Sequence, residues 1–209
     1  MSVVAWRQRL HDHRLTLDRA LTLLAAEPEP LADAGRLVVD ALRSGKKILI
    51  AGNGGSAAAT QHFAAELVGR FKRERAAYPA IALTADSAIL TAIGNDYGFD
   101  QVFARQVAAL GQAGDVLIAF STSGESDNVV VAAEMARMCQ IPVIGVTAEA
   151  PSRLQRLADV TIRVPATDTA TAQELHLIAS HLICEVVEDE LCTMPIRVVE
   201  SSSAGEVVP

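Results

Sequence analysis

The chain has 209 residues, half of them hydrophobic, so it is long enough to bury the core of one large domain. Its formal net charge of −7 argues against a general nucleic-acid binder, which would need a basic face. No stretch approaches the ~18 uninterrupted apolar residues of a transmembrane helix. The opening residues (MSVVAWRQRLHDHR) are typical of a helix rather than of a signal peptide.

The first elements in chain order are helical. Residues 3–26 and 30–44 show helical apolar spacing and are separated by the segment EPEP, which predicts a helical hairpin within residues 1–45. The segment KKILIAGNGGS then predicts a buried strand that ends in a glycine turn. A helix over 57–71 and a short strand, AIAL, are expected to follow.

The same alternation continues to the end of the chain. Apolar strands (DVLIAF, PVIGV and VTIRV) alternate with segments of helical spacing, expected at 86–93, 99–110, 126–139, 152–158 and 171–192. This order predicts an α/β fold with a doubly wound, mostly parallel five-stranded sheet of the flavodoxin-like kind, covered by helices on both faces. We expect one domain over residues 1–194 and a polar tail over 195–209.

Three cysteines, Cys139, Cys184 and Cys192, have no paired or metal-type spacing. Cys184 and Cys192 are separated by about 12 Å along a predicted helix, too far for a disulfide. Free thiols and a reducing, cytoplasmic location are therefore expected.

Two loops at strand ends have the composition of phosphate-binding loops. Gly52-Asn53-Gly54-Gly55-Ser56 lets the backbone turn sharply into a helix whose first N–H groups are unpaired. It lacks the GxGxxG spacing of a dinucleotide site and the GK[ST] ending of a nucleotide P-loop. A tight connection without a ligand is the structural alternative.

The second loop, residues 121–126 (STSGES), ends the strand DVLIAF and opens the next helix. Its four hydroxyl groups can surround an anion, with helix N–H groups behind them. The structural alternative is an ordinary N-cap, which Ser126 alone would provide. Ligands of doubly wound sheets bind beyond the carboxyl ends of the strands, so both loops lie where a site is expected.

The motifs AGNGGS, QHFAAEL, GNDYGF, STSGES and QELHLIASH together resemble the sugar isomerase (SIS) domain and, within it, the phosphoheptose isomerase family. That family converts sedoheptulose 7-phosphate to D-glycero-D-manno-heptose 7-phosphate through an enediol(ate). The resemblance implies an aldose–ketose isomerase, a homotetramer and one Zn²⁺ per subunit.

Position by position, the resemblance also implies residue roles. Catalytic proton transfer falls to Glu66 and His181. The implied zinc ligands are His62, Glu66, Gln173 and His181. Substrate binding is implied for Asn53, Gly54, Gly55, Glu66, Asn95, Asp96, Ser121, Thr122, Ser123, Ser126 and Gln173.

The residues themselves leave alternatives open. Glu66 lies four residues after His62, so both share one helix face, although a solvated Glu there is also common. His181 lies in an apolar run where its ring needs a partner, which a backbone carbonyl could be. Gln173 and His181 are about 12 Å apart along a helix. One ion can bind both residues only if it lies between them and both side chains reach inward, or if the two ligands come from different subunits. Otherwise Gln173 binds only the substrate.

Two positions depart from the family pattern. Glu125 places a carboxylate beside the proposed phosphate loop, and Thr171 stands where relatives often have Arg. Another sugar phosphate therefore remains an alternative substrate. A non-catalytic SIS protein that binds the replication initiator is the other alternative, although its relatives lack the equivalents of Glu66 and His181. A basic cluster follows the Glu66 helix. Its cations, Arg70, Lys72, Arg73 and Arg75, are expected to stabilise the C-terminus of that helix.

Overall fold

The central sheet is built from the apolar segments of the sequence. A computed structural model describes residues 2–192; the expected tail at 195–209 lies outside them. The five strands are β1 Ile48–Gly52, β2 Ala80–Ala82, β3 Val116–Phe120, β4 Val143–Thr147 and β5 Val160–Arg163. Strands β1, β3 and β4 are buried at every position, because helices cover both faces of the sheet.

All four strand pairings are parallel, in the order β2-β1-β3-β4-β5. Ile50, for example, is in register with Ala82 on one side and with Ile118 on the other. The expected doubly wound, five-stranded sheet is thus confirmed. Because the strand order reverses between β1 and β3, the loops after these two strands flank the crevice where such sheets bind ligands.

Within residues 2–192, eight α-helices surround the sheet. They are α1 Val3–Ala26, α2 Glu29–Arg43, α3 Gly55–Val68, α4 Ser87–Tyr97, α5 Ala104–Leu110, α6 Asp127–Met138, α7 Arg153–Leu157 and α8 Thr169–Leu191, with a short 3-10 turn at Phe99–Gln101. Helices α1 and α2 supply the expected helical N-terminus. None of these helices combines the length and apolar character needed to cross a bilayer.

The two faces of the sheet pack against different helices. Ile48, Ile50 and Ile118 contribute to a core shared with α2, α3 and α8. Leu49 and Leu117 point to the other face and pack with residues of α5, α6 and α7. Successive strand residues alternate between faces, which is why one apolar run supplies both cores. Helices α3 and α8 consequently lie side by side on one face.

Some helix boundaries differ from those expected. Helix α4 runs to Tyr97 rather than to residue 93, so Asn95 and Asp96 lie in its last turn. Gly98 follows as the C-cap residue, with a φ of 96° that a residue with a Cβ rarely adopts. The segment 99–110, expected as one helix, is a 3-10 turn followed by α5. Helix α3 starts at Gly55 and ends at Val68, where Gly69 follows it.

Candidate active site

A pair of carboxamides joins the first predicted loop to the helix that follows the second one, across the crevice. Asn53 Nδ2 donates to Asn128 Oδ1 at 2.8 Å, and Asn128 Nδ2 donates to Asn53 Oδ1 at 2.8 Å. Asn53 follows β1, and Asn128 lies in the first turn of α6. Sequence reasoning did not select Asn128. Its only signal was an amide directly after the hydroxyl-rich loop.

Residues 121–126, here called the serine turn, bring their hydroxyl groups together. Ser121 Oγ lies 3.1 Å from Ser126 Oγ and accepts a hydrogen bond from the Gly124 N–H at 3.0 Å. Ser123 Oγ accepts from the Glu125 N–H at 3.1 Å. Gly124 has a φ of 66°, and a Cβ there would overlap with the Ser152 side chain. The turn therefore requires glycine at this position.

The helices that start at the crevice begin without side-chain caps. Ser126 occupies the N-cap position of α6, yet its hydroxyl makes no capping hydrogen bond. Gly54 occupies the same position in α3 and has no side chain to cap with. The structure thus differs from the ordinary N-cap considered for Ser126, whose hydroxyl bonds to Ser121 instead. Uncapped helix N-termini suit an anion.

Three chemically active side chains converge between α3 and α8. His62 Nε2 lies 2.9 Å from His181 Nε2 and 3.4 Å from Glu66 Oε1. One ligand atom from each of His62, Glu66 and His181 falls within 4.8 Å of the others. His62 and Glu66 are one turn apart on α3, as expected, and His181 comes from α8. The Phe71 ring lies 5.2 Å from that of His181.

Gln173 lies near this cluster but has a different neighbour. It is two helical turns before His181 on α8, and its side-chain amide lies so close to Gly55 that a Cβ on Gly55 would overlap with it. Gln173, Gly55 and His62 line one cavity of about 450 Å³. The start of α3, the amide of Gln173 and the His62 ring therefore border a common space.

Other predicted site residues are not joined to the cluster. Asn95 and Asp96 are exposed and hydrogen-bond to each other at 2.7 Å. Within residues 2–192, no hydrogen bond or ion pair links them to Glu66, His181 or the serine turn. The same holds for the serine turn and the Glu66–His181 pair. Thr122 and Ser123 instead line a cavity of about 660 Å³ that reaches the start of α8.

Comparisons with known proteins agree on one family. The SIS domain model matches residues 16–148. The phosphoheptose isomerase of Aliarcobacter butzleri is 51% identical over 78% of this chain and 86% of its own, and that of Pelobacter propionicus is 51% identical over 83% and 93%. The chain belongs to the phosphoheptose isomerase family. It is an aldose–ketose isomerase, as its motifs implied.

Solved structures of phosphoheptose isomerases match the fold over nearly their whole length. The Neisseria gonorrhoeae structure has a TM-score of 0.82 at 41% identity and covers 88% of this chain and 99% of its own. The Francisella tularensis structure has a TM-score of 0.84 at 37% identity and covers 90% and 100%. The SIS fold implied by the motifs is therefore confirmed.

The two departures from the phosphoheptose isomerase pattern have local explanations. The Glu125 carboxylate accepts a hydrogen bond from the Arg153 N–H at 2.7 Å, so it is engaged at the start of α7. The Arg153 side chain, in turn, pairs with Asp127 at 2.7 Å. Thr171 is buried in the first turn of α8, where its N–H donates to Asp168 Oδ1 at 2.9 Å. Neither residue belongs to the Glu66 cluster.

His176, the other histidine of α8, has a different environment. It is 1% exposed and lies 5.8 Å from the Phe120 ring. Burial lowers the pKa of His176 to about 4, although its contact with the Thr147 backbone opposes this shift. His176 is therefore neutral near pH 7. Its ring nitrogens have no hydrogen-bond partner among the described residues, and it does not join the His62 cluster.

A buried ion pair joins α8 to the segment that follows α3. Arg75 and Glu188 are both 2% exposed and lie 3.0 Å apart. Glu188 also accepts hydrogen bonds from the N–H groups of residues 71–73, each at 2.9 Å. Arg75 donates to the Leu67 carbonyl at 2.9 Å and to the Glu66 carbonyl at 2.6 Å. Arg75 thus stabilises the C-terminal end of α3, as expected, but the sequence did not predict its buried partner Glu188.

Proposed function

We propose that this isomerase interconverts sedoheptulose 7-phosphate and D-glycero-D-manno-heptose 7-phosphate through an enediol(ate). The observation that carries the proposal is the convergence of Glu66 and His181, which come from different helices and have ligand atoms within 4.8 Å of each other. Isomerisation needs one group for the carbon-bound proton and another for the oxygen-bound protons. A carboxylate beside an imidazole supplies both.

Glu66 takes the carbon-bound proton in this proposal. Its carboxylate removes a proton from C1 of the ketose and returns it to C2 of the enediol(ate), which produces the aldose. His181 moves an oxygen-bound proton in the same sense, from O1 to O2, so that O1 becomes the aldehyde oxygen and O2 a hydroxyl group. Each positioned acid or base contributes about 10²–10⁴-fold to the rate.

The serine turn is proposed to bind the phosphate. Its hydroxyl groups converge, and the α6 terminus behind it has no side-chain cap. The phosphate-binding residues would be Ser121, Thr122, Ser123 and Ser126. Binding energy from this remote group holds the sugar in register for proton transfer. Asn53, Gly54, Gly55 and Gln173, which border the crevice and the adjoining cavity, would contact the sugar.

Zinc is proposed to bind at the His62 cluster. Two imidazoles and one carboxylate within 4.8 Å of one another form a donor set that suits Zn²⁺. His62, Glu66 and His181 would hold the ion, with Gln173 as the fourth ligand. When bound, Zn²⁺ would supply Lewis-acid stabilisation of a developing oxyanion.

A homotetramer is proposed as the working assembly. Helix α1 is largely exposed and presents large apolar side chains, including Trp6 at 57% and Leu10 at 68% exposure. Asn95 and Asp96, which lie apart from the other site residues in one chain, would reach the substrate of a neighbouring subunit. The three cysteines are free, which suits a reducing cytoplasm.

The deciding experiment is turnover of a panel of sugar phosphates by the purified protein. Sedoheptulose 7-phosphate is expected to give the heptose 7-phosphate faster than any pentose or amino-sugar phosphate is converted. Faster conversion of another panel member would show that this sugar phosphate, and not sedoheptulose 7-phosphate, is the preferred substrate. Tight binding to the replication initiator, with no turnover of any ketose phosphate, would instead favour the non-catalytic alternative.

A further inference from the structure

The carboxamide pair across the crevice restricts how Asn53 can be oriented. Each amide of the pair donates one N–H to the other and accepts one in return. If the Asn53 amide rotated by half a turn, its N–H groups would face those of Asn128 and its oxygen would face an oxygen. Both hydrogen bonds would be lost. The pairing therefore couples the two amides, so that the Asn53 amide can turn only together with the buried Asn128 amide.

The pairing also leaves Asn53 with free hydrogen-bonding capacity. A carboxamide has two N–H groups and two oxygen lone pairs, and the pair uses one of each. Asn128 is 4% exposed, whereas Asn53 is half-buried at the crevice. The remaining N–H and lone pair of Asn53 are consequently those that a ligand in the crevice can meet.

Helix packing alone does not explain an amide at position 128. The neighbouring buried residues on α6, such as Val129, Val130 and Ala132, are apolar. Both side-chain hydrogen bonds that Asn128 makes within residues 2–192 go to Asn53. A buried polar group lowers stability unless its bonds are satisfied, so an apolar side chain would serve packing better.

We infer that Asn128 is a positioning residue of this isomerase. It holds the Asn53 amide in place, in the plane and orientation of its own buried amide, so that one N–H and one oxygen lone pair of Asn53 remain for the hydroxyl groups of the sugar. It also ties the loop after β1 to the helix that follows the serine turn, so the sugar and phosphate contacts keep a constant separation. The inference rests on the proposed function, in which Asn53 contacts the sugar.

A double-mutant cycle tests this role. Asn53→Ala, Asn128→Ala and the double variant are compared with the natural chain, using whichever panel sugar phosphate the natural enzyme converts. We expect Asn128→Ala to raise KM about tenfold while kcat changes by less than about threefold. In the Asn53→Ala background, the same substitution should change KM by less than about twofold, because it acts through Asn53.

Gln106→Ala is the matched control. Gln106 is a buried carboxamide on α5 whose amide donates to the Leu83 and Val102 carbonyls and not to Asn53 or the serine turn. It should lower the thermal midpoint without raising KM. An unchanged KM in Asn128→Ala, or effects that multiply in the double variant, would overturn the inference. A different preferred sugar phosphate would change only the substrate, whereas no turnover of any panel member overturns both proposals.

Discussion

His62 Nε2 and His181 Nε2 lie 2.9 Å apart, although the two residues are 119 positions apart in the chain. At this separation one ring can donate and the other must accept, so the two nitrogens share a single proton or a metal ion. Glu66 Oε1 is 3.4 Å from the same His62 nitrogen. This arrangement joins the proposed base, the proposed proton carrier and the proposed metal site.

Replacing Glu66 with Gln should remove most of the activity. The amide keeps the shape of the side chain but cannot take up the carbon-bound proton, so kcat should fall at least about 100-fold. The free energy of unfolding should change by less than about 1 kcal/mol. Steady-state kinetics and urea unfolding measure the two effects.

Glu74→Gln is the control for this substitution. Glu74 is 73% exposed and pairs with Arg70 at 3.7 Å, so its charge is removed outside the cluster. It should retain the natural rate. A Glu66→Gln enzyme that also kept its full rate would show that another group is the base.

Metal content tests the proposed ligand set. Protein prepared without added zinc should carry about one ion per chain, and His62→Gln should lose most of it. Added Zn²⁺ should raise the thermal midpoint of the metal-depleted natural protein, because a ligand that binds only the folded state stabilises it. His11→Gln removes an exposed histidine on α1 and should leave both readouts unchanged. Equal metal content in the two variants would contradict the site.

The serine turn predicts a separation of binding from stability. Ser126→Ala should raise KM about tenfold through loss of a phosphate contact. Because Ser126 makes no capping hydrogen bond, the free energy of unfolding should stay within about 0.5 kcal/mol of the natural value. Inorganic phosphate should compete with substrate less well in this variant.

Asp86→Ala supplies the contrast for stability. The Asp86 side chain caps α4 by accepting from the Ile89 N–H at 3.0 Å, so its loss should cost about 1 kcal/mol. If Ser126→Ala proved as destabilising as Asp86→Ala and left KM unaltered, the hydroxyl would be a structural cap after all.

The Glu188–Arg75 pair predicts acid sensitivity. Burial raises the pKa of Glu188, but hydrogen bonds from the N–H groups of residues 71–73 and from Arg75 outweigh it, so the pKa lies below its usual value of 4.5. A carboxyl group with a lowered pKa stabilises the fold above that usual value. This stabilisation is lost as the pH falls through the pKa of the folded state.

Glu188→Gln should therefore cost about 3–5 kcal/mol at neutral pH, since it leaves the buried Arg75 charge unpaired. The stability of this variant should also fall less steeply than that of the natural protein as the pH drops below 4.5. Glu190→Gln alters an exposed partner of Arg43 and should change neither. Urea unfolding across this pH range provides the measurement; identical pH slopes in the natural protein and Glu188→Gln would speak against the assignment.

Much of the site could be predicted because its motifs are local. Glu66 follows His62 by one helical turn, so their shared face is set by helix geometry alone. Gly124 is required by the conformation of a turn of only a few residues, so the short motif STSGES is enough to predict that turn. Asn128 and Glu188 were missed because each owes its role to a partner more than 70 positions away: Asn53 for one, Arg75 for the other.

The sequence by itself determined the alternation of apolar strands with helices, the two loops at strand ends and the family, because each of these is written in short-range pattern. Only the tertiary structure decided which side chains meet. The sheet packs α3 beside α8, and that contact brings His181 to His62 and Glu66. The tertiary structure also decided that the Glu125 carboxylate bonds to the start of α7 and that Asn95 and Asp96 lie apart from the cluster. Such outcomes depend on how distant elements pack, which no local spacing records.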